Sequence, residues 1–179
     1  MSLFIGPSRT ATVLSNPLFA LNPNDPDTVR NTLSKVGTMF IWTCAVQANA
    51  VAYSTDANVY LYELTIGSTD PDNAADTMCT ASGAVCHEDD IPLVFATYSS
   101  ATSTQIAVGN EIRARWTAFA ANGNPNKSGL VTWNKIGGAS NLNALRIGSP
   151  SVVNQTLYSN MCGPVFGSQV LYNFQMVDS

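Results

Sequence analysis

An α/β fold, with helices flanking part of a mixed sheet, is what this sequence predicts, and three stretches carry the prediction. Val59-Tyr60-Leu61-Tyr62-Glu63-Leu64 is β-branched and aromatic without clean alternation, the pattern of a strand covered on both faces. Ile106 to Ala121 places Ile106, Gly109, Ile112, Trp116, Phe119 and Ala120 on one helical face, with Glu111, Arg113 and Arg115 mostly opposite. Asn122-Gly123 is a natural C-cap and Pro125 a stop. From Val29 to about Val51, the apolar residues Val29, Leu33, Val36, Phe40, Ala45 and Val46 recur near helical spacing. Gly37 and the β-branched residues around it predict a break.

The remaining elements follow in chain order. Residues 1–28 are dense in turn formers, with Pro7, Asn16-Pro17 and Asn22-Pro23-Asn24-Asp25-Pro26-Asp27, and read as irregular connection. Asp27 or Thr28 supplies an N-cap for the helix that follows. Gly67 to Asp76 is a polar loop; an EF-hand needs glycine where Ala75 stands, so calcium binding is not expected. Pro92 disfavours helix at Ile91, and Tyr98 to Gln105 reads as a Ser/Thr/Ala-rich connector. Leu130–Trp133 and Leu142–Ile147 look like short strands around Gly137-Gly138, and a last helix is expected across residues 167–172. No internal repeat or domain boundary shows, so residues 1–179 read as one segment.

At 179 residues, 45% hydrophobic and 11% charged, the chain is long enough for an ordinary core and too apolar for disorder. Its net charge of −4 comes with only eight scattered Lys and Arg residues, which argues against a nucleic-acid partner. No run approaches the roughly 18 apolar residues of a transmembrane helix. The start, Met1-Ser-Leu-Phe-Ile-Gly-Pro, lacks the basic and apolar regions of a signal peptide. Four cysteines point to an oxidising compartment. Cys79 and Cys86, with Gly83 between them, favour a local disulfide just before His87 over the alternative that all four cysteines are small buried thiols. Cys44 and Cys162 pair with each other or with a cysteine elsewhere. The sequons Asn126-Lys127-Ser128 and Asn154-Gln155-Thr156 are compatible with secretion.

The chemistry centres on Cys86-His87-Glu88-Asp89-Asp90-Ile91-Pro92-Leu93-Val94-Phe95, which holds the sole histidine of the chain. Imidazole is the side chain that ordinarily titrates near neutrality, so His87 among carboxylates is a candidate for proton transfer. A solvated loop histidine without chemistry is the bland alternative. A metal site built from His87, Cys86, Glu88, Asp89 and Asp90 is not expected. Adjacent side chains diverge, and no second His or Cys pair stands at zinc spacing.

Three blocks in order settle the comparison: the strand Val59–Leu64, the His87 block, and Trp116-Thr117-Ala118-Phe119-Ala120-Ala121-Asn122-Gly123-Asn124-Pro125-Asn126. Together they resemble the C-terminal part of the type-B carboxylesterases, the cholinesterase and fungal esterase/lipase group of the α/β-hydrolases. There a "vYlYxf" strand precedes His-Gly-x-[Asp/Glu]-[Leu/Ile]-Pro-x-Val-Phe and a helix ending near Trp-x-x-Phe-Ala-x-x-Gly-x-Pro-Asn. The resemblance runs from about Val29 onward. Cys44 matches a cysteine-bearing helix, and Trp133-Asn134-Lys135-Ile136 stands loosely where the family has Trp-Pro-x-Tyr.

The resemblance implies the C-terminal portion of an α/β-hydrolase fold in a secreted serine esterase or lipase. It implies a small ester or lipid substrate and no cofactor. His87 takes the role of the base that moves the proton from serine to leaving alkoxide. No Gly-x-Ser-x-Gly elbow or glycine-rich oxyanion motif occurs in the sequence, and Asp89 and Asp90 are too near His87 in sequence to be its orienting acid. The expected partner is therefore the missing N-terminal part of the same domain, and the chain alone is expected to be inactive and aggregation-prone. Glu88 stands where the family has glycine; if that glycine serves a positive φ, Glu88 strains or reshapes the loop. A catalytically silent binding or adhesion relative is the alternative, and a compact secreted module with an accidental likeness the third reading.

Overall fold

The computed structural model describes residues 1, 5–154 and 162–166; the helix expected across residues 167–172 lies outside them. The chain falls into two compact units, Met1–Thr55 with Tyr158–Ser179, and Asp56–Leu157.

In the first unit, helix α1 spans Pro7–Ser15, where turn-former density predicted irregular chain. Pro7 explains the difference. It stands in the first turn, where its missing N–H is an orphan anyway and its fixed φ suits a helix. A 3-10 turn at Pro17–Phe19 follows, opened by the Leu18 N–H donating to Asn16 Oδ1 at 3.0 Å. Helix α2, Thr28–Gly37, starts after Asp27, whose carboxylate meets Arg30 at 2.7 Å.

The break expected at Gly37 is absent. Gly37 keeps right-handed helical angles, and the chain passes through a π-helical segment, Thr38–Thr43, into helix α3, Cys44–Tyr53. A π turn accommodates an extra residue without leaving the helix. The inward face also differs from the predicted one: Val36, Met39, Cys44 and Ala45 are buried, whereas Val29, Leu33 and Val46 are exposed. Met39 and Cys44 share a core with Ile5, Val13, Phe19, Val165 and Phe166. The Phe166 ring meets Phe40 at 5.6 Å and Phe19 at 6.3 Å, and the Arg9 Nε–H donates to the Phe166 carbonyl at 3.0 Å. Of the two options for Cys44 and Cys162, the structure takes the mutual disulfide, closing a separation of 118 residues.

The second unit is built on a sheet of order β1-β2-β3. β1, Leu61–Leu64, pairs in parallel with β2, Ala144–Ile147, in the register Leu61↔Ala144 to Leu64↔Ile147. β3, Val152–Asn154, lies antiparallel to β2. Parallel neighbours need a long crossover. Here it contains a short helix α4, Ile91–Phe95, and a long helix α5, Ser103–Asn122.

Pro92 starts α4 rather than preventing it, because it sits in the first turn. Helix α5 begins before the predicted Ile106, since Thr102 and Gln105 form a capping box: the Gln105 N–H donates to Thr102 Oγ1 and the Thr102 N–H to Gln105 Oε1. Gly123, at φ 71°, ends it as predicted. Leu93, Val108, Ile112, Trp133, Leu145 and Ile147 form the core of this unit.

Two expectations are corrected there. Arg115 is not on the outer face of α5 but fully buried, paired with Glu111 at 2.8 Å and donating to the Val131 carbonyl at 2.8 Å. Its guanidinium carbon lies 5.9 Å from the Trp133 ring centroid. Nor does Leu130–Trp133 form a strand. Asn126 replaces a ladder partner: the Trp133 N–H donates to Asn126 Oδ1 at 2.7 Å, and Asn126 Nδ2 donates to the Trp133 carbonyl at 2.9 Å. The Asn126 sequon is thus a structural clasp. Replacing Asn126 by alanine orphans both Trp133 main-chain groups and is expected to cost about 2–4 kcal/mol, read from urea unfolding.

Among the described residues β1 is an edge strand. The Thr65 N–H donates to the Ile147 carbonyl at 3.0 Å, and main-chain groups alternate along a strand. Those of Leu61 and Glu63 therefore face β2, and those of Tyr62 and Leu64 face the open edge. Among the described residues no helix is long and apolar enough to cross a membrane.

Candidate active site

The loop between β1 and α4 leaves the carboxyl end of a parallel strand, the end where ligand sites of open α/β sheets lie. It carries His87, whose side chain is 73% exposed. Its Nε2 stands 3.9 Å from Glu88 Oε1, beyond hydrogen-bond reach. Glu88 adopts φ +70°, the left-handed conformation that glycine tolerates best. The substitution of the family's glycine thus falls on a position that uses glycine's freedom.

The loop is held from below. The predicted Cys79–Cys86 disulfide is present, with Gly83 at φ +81° in the bend it spans. Asp89, 1% exposed, accepts from three donors. The Cys86 N–H reaches Oδ2 at 2.7 Å, the Asp70 N–H reaches Oδ1 at 2.9 Å, and Asn73 Nδ2 reaches Oδ1 at 3.0 Å. Asn73 Nδ2 also donates to the His87 carbonyl at 2.6 Å. Both Asp89 oxygens are thereby committed to this loop. Asp70, Asp72 and Glu88 each place a carboxylate oxygen within 4.8 Å of the others'.

Gly67 makes this packing feasible, because a Cβ there would lie 2.6 Å from Asp89 Cβ and 3.3 Å from Val85 Cγ1. Gly67→Ala is expected to displace Asp89 at a cost of about 1–3 kcal/mol. Faster exchange of the Ser68 amide, which donates to the Asp89 carbonyl at 2.9 Å, would report it. The sequence reading missed Gly67 and Asn73 as contributors. The one local signal was the Asp70-Pro71-Asp72-Asn73 turn, in which the Asp72 N–H donates to Asp70 Oδ1.

A second concavity, of about 400 Å³, is lined by Tyr60, Tyr62, Trp116, Phe119, Pro125 and Trp133. Its Phe119 end is distant from the histidine loop, while its Tyr62 side lies within electrostatic reach of Asp90. Gln105 Nε2 donates to Gly67 O beside the histidine loop, whereas Phe119 meets Tyr60 at the other end of α5. Fourteen helical residues separate them, roughly 21 Å. Burial, and then the Asp90 carboxylate, push the Tyr62 phenol above its ordinary pKa, so it is neutral at pH 7.

The sequence model of the carboxylesterase family matches residues 7–164. The chain belongs to that family. The match reaches back through α1, upstream of Val29 where the legible blocks begin, and removes the reading of an accidental likeness. Similar solved structures include a thermophilic pNB esterase, 19% identical with a TM-score of 0.68, covering 92% of this chain and 32% of its own. Another pNB esterase structure is 18% identical at a TM-score of 0.66, with the same coverages of 92% and 32%. A Geobacillus stearothermophilus carboxylesterase, EST55, is 18% identical at 0.65, covering 91% of this chain and 33% of its own. At these identities the likeness is one of fold, a mixed α/β, hydrolase-type architecture with flanking helices. This carboxylesterase-family chain spans about a third of the length of those structures. No curated protein matches it.

Proposed function

We propose that the chain is the C-terminal portion of a carboxylesterase catalytic domain that cleaves carboxylic esters, with His87 as general base. The observation that carries this reading is the placement of His87. The only imidazole of a carboxylesterase-family chain stands exposed on a braced loop beyond the carboxyl end of β1. In the reaction, its ring takes the proton of a serine hydroxyl as that oxygen attacks the ester carbonyl. It then returns the proton to the departing alkoxide. The serine, the acid that orients the ring and the oxyanion donors come from the N-terminal part of the same domain.

The position of β1 supports that partnership: among the described residues no strand pairs with its outer edge, which is a template for a further strand. The substrate is a small ester or a lipid. Two disulfides among the described residues favour an extracellular setting. The test is turnover of fluorogenic short-chain esters by the longest natural polypeptide containing this chain, beside the chain alone. Turnover is expected from the first and none from the second. An inactive long polypeptide with an intact serine elbow overturns the reading in favour of a silent binding relative.

A further inference from the structure

We propose that Asp89 is the positioning residue of His87, acting through Asn73 and the Cys86 N–H, and that this clasp stands in for the glycine replaced by Glu88. The proposal rests on the reading of His87 as the base. Asp89 is buried, and its carboxylate accepts the Cys86 N–H on the near side of the histidine. On the far side it accepts from Asn73, whose amide also donates to the His87 carbonyl at 2.6 Å. With the Cys86 N–H and the His87 C=O both fixed, the intervening Cα–Cβ direction of His87 is fixed too.

The same bonds explain how Glu88 keeps φ +70°. A non-glycine residue stays left-handed only where its surroundings over-determine it. Gly67 leaves the space that the Asp89 side chain occupies, and the Cys79–Cys86 disulfide anchors the approach. A glycine after the histidine would adopt that φ unaided; Glu88 needs the carboxylate.

Because His87 is the sole histidine, its ring gives a single Cε1–H resonance in the selectively labelled chain, and that resonance is the readout. Asp89→Asn keeps the shape but sets an NH2 against a donor, and Asn73→Ala removes the half-buried link alone. Both are expected to displace or split the His87 resonance. Asp89→Asn should also speed Cys86 amide exchange by roughly 10-fold or more, the scale of one lost charge-assisted hydrogen bond. The Trp133 indole N–H, which donates to the Leu61 carbonyl at 2.8 Å, reports an intact core.

Adding Glu88→Gly to Asp89→Asn should restore the His87 resonance. An unmoved His87 resonance in Asn73→Ala, or one left displaced after Glu88→Gly, overturns the proposal. Should Asp89→Asn fail to fold, Asn73→Ala decides alone. No ester turnover is read, so this outcome is separate from whether His87 acts as a base.

Discussion

On the proposed reading, replacing His87 by alanine in a longer, ester-hydrolysing polypeptide that contains this chain is expected to lower kcat by about 10⁴- to 10⁶-fold with little change in KM. That is the expected scale when a triad-type base is removed. A serine hydroxyl is a poor nucleophile at neutral pH, and without a base its proton has no acceptor as the carbonyl carbon is attacked. The alkoxide leaving group then has no donor either. Ester binding depends on other contacts, so KM holds. The exposure of the His87 side chain, 73%, means that alanine opens no cavity. Loss of activity without loss of unfolding midpoint is the diagnostic pair. Activity within about 10-fold of the unsubstituted protein would remove His87 from the mechanism.

Arg115→Met is expected to cost about 3–5 kcal/mol in urea unfolding, the usual consequence of removing one member of a buried ion pair. Arg115 is fully buried, with Glu111 on one side and the Val131 carbonyl on another. Removing the guanidinium takes the donor from a largely buried Glu111 oxygen and from the Val131 carbonyl. Glu111 Oε2 keeps the Ser151 hydroxyl, which donates to it at 3.0 Å. Among the described residues Arg115 Nη1 has no hydrogen-bond partner, so within them the network is not fully satisfied even when intact. The paired substitution Glu111→Leu with Arg115→Met should therefore recover most of the loss. A single variant less than about 1 kcal/mol destabilised would show that the pair is structurally dispensable.

Much of the second unit was legible. The aromatic, β-branched run at Val59–Leu64 contains β1, and Leu142–Ile147 contains β2, since strand composition and length are local properties. Helix α5 was legible for the same reason, and its Gly123 cap was placed correctly. Its start was displaced because the Ser/Thr-rich approach masked the Thr102–Gln105 box. In the first unit, Pro7 reads as a turn former although at a first helical position it favours α1. Which face of a helix turns inward was the least legible feature. Arg115 reads as a surface charge until Glu111 and the Val131 carbonyl are brought around it, and Leu33 reads as core although it is exposed.

The order of amino acids by itself determined the α/β class, the family blocks, the Cys79–Cys86 bridge and the choice of His87 as the residue worth testing. Each depends on residue types at short spacing, where one stretch of chain contains all the information. Tertiary structure alone decided the Cys44–Cys162 pairing, the inward turn of Arg115, the Asn126–Trp133 clasp and the hydrogen bonds of Asp89 to Asp70 and Asn73. A buried polar group takes whichever donors the folded path delivers to it, and those donors are chosen by the packing of distant segments rather than by neighbours in the chain.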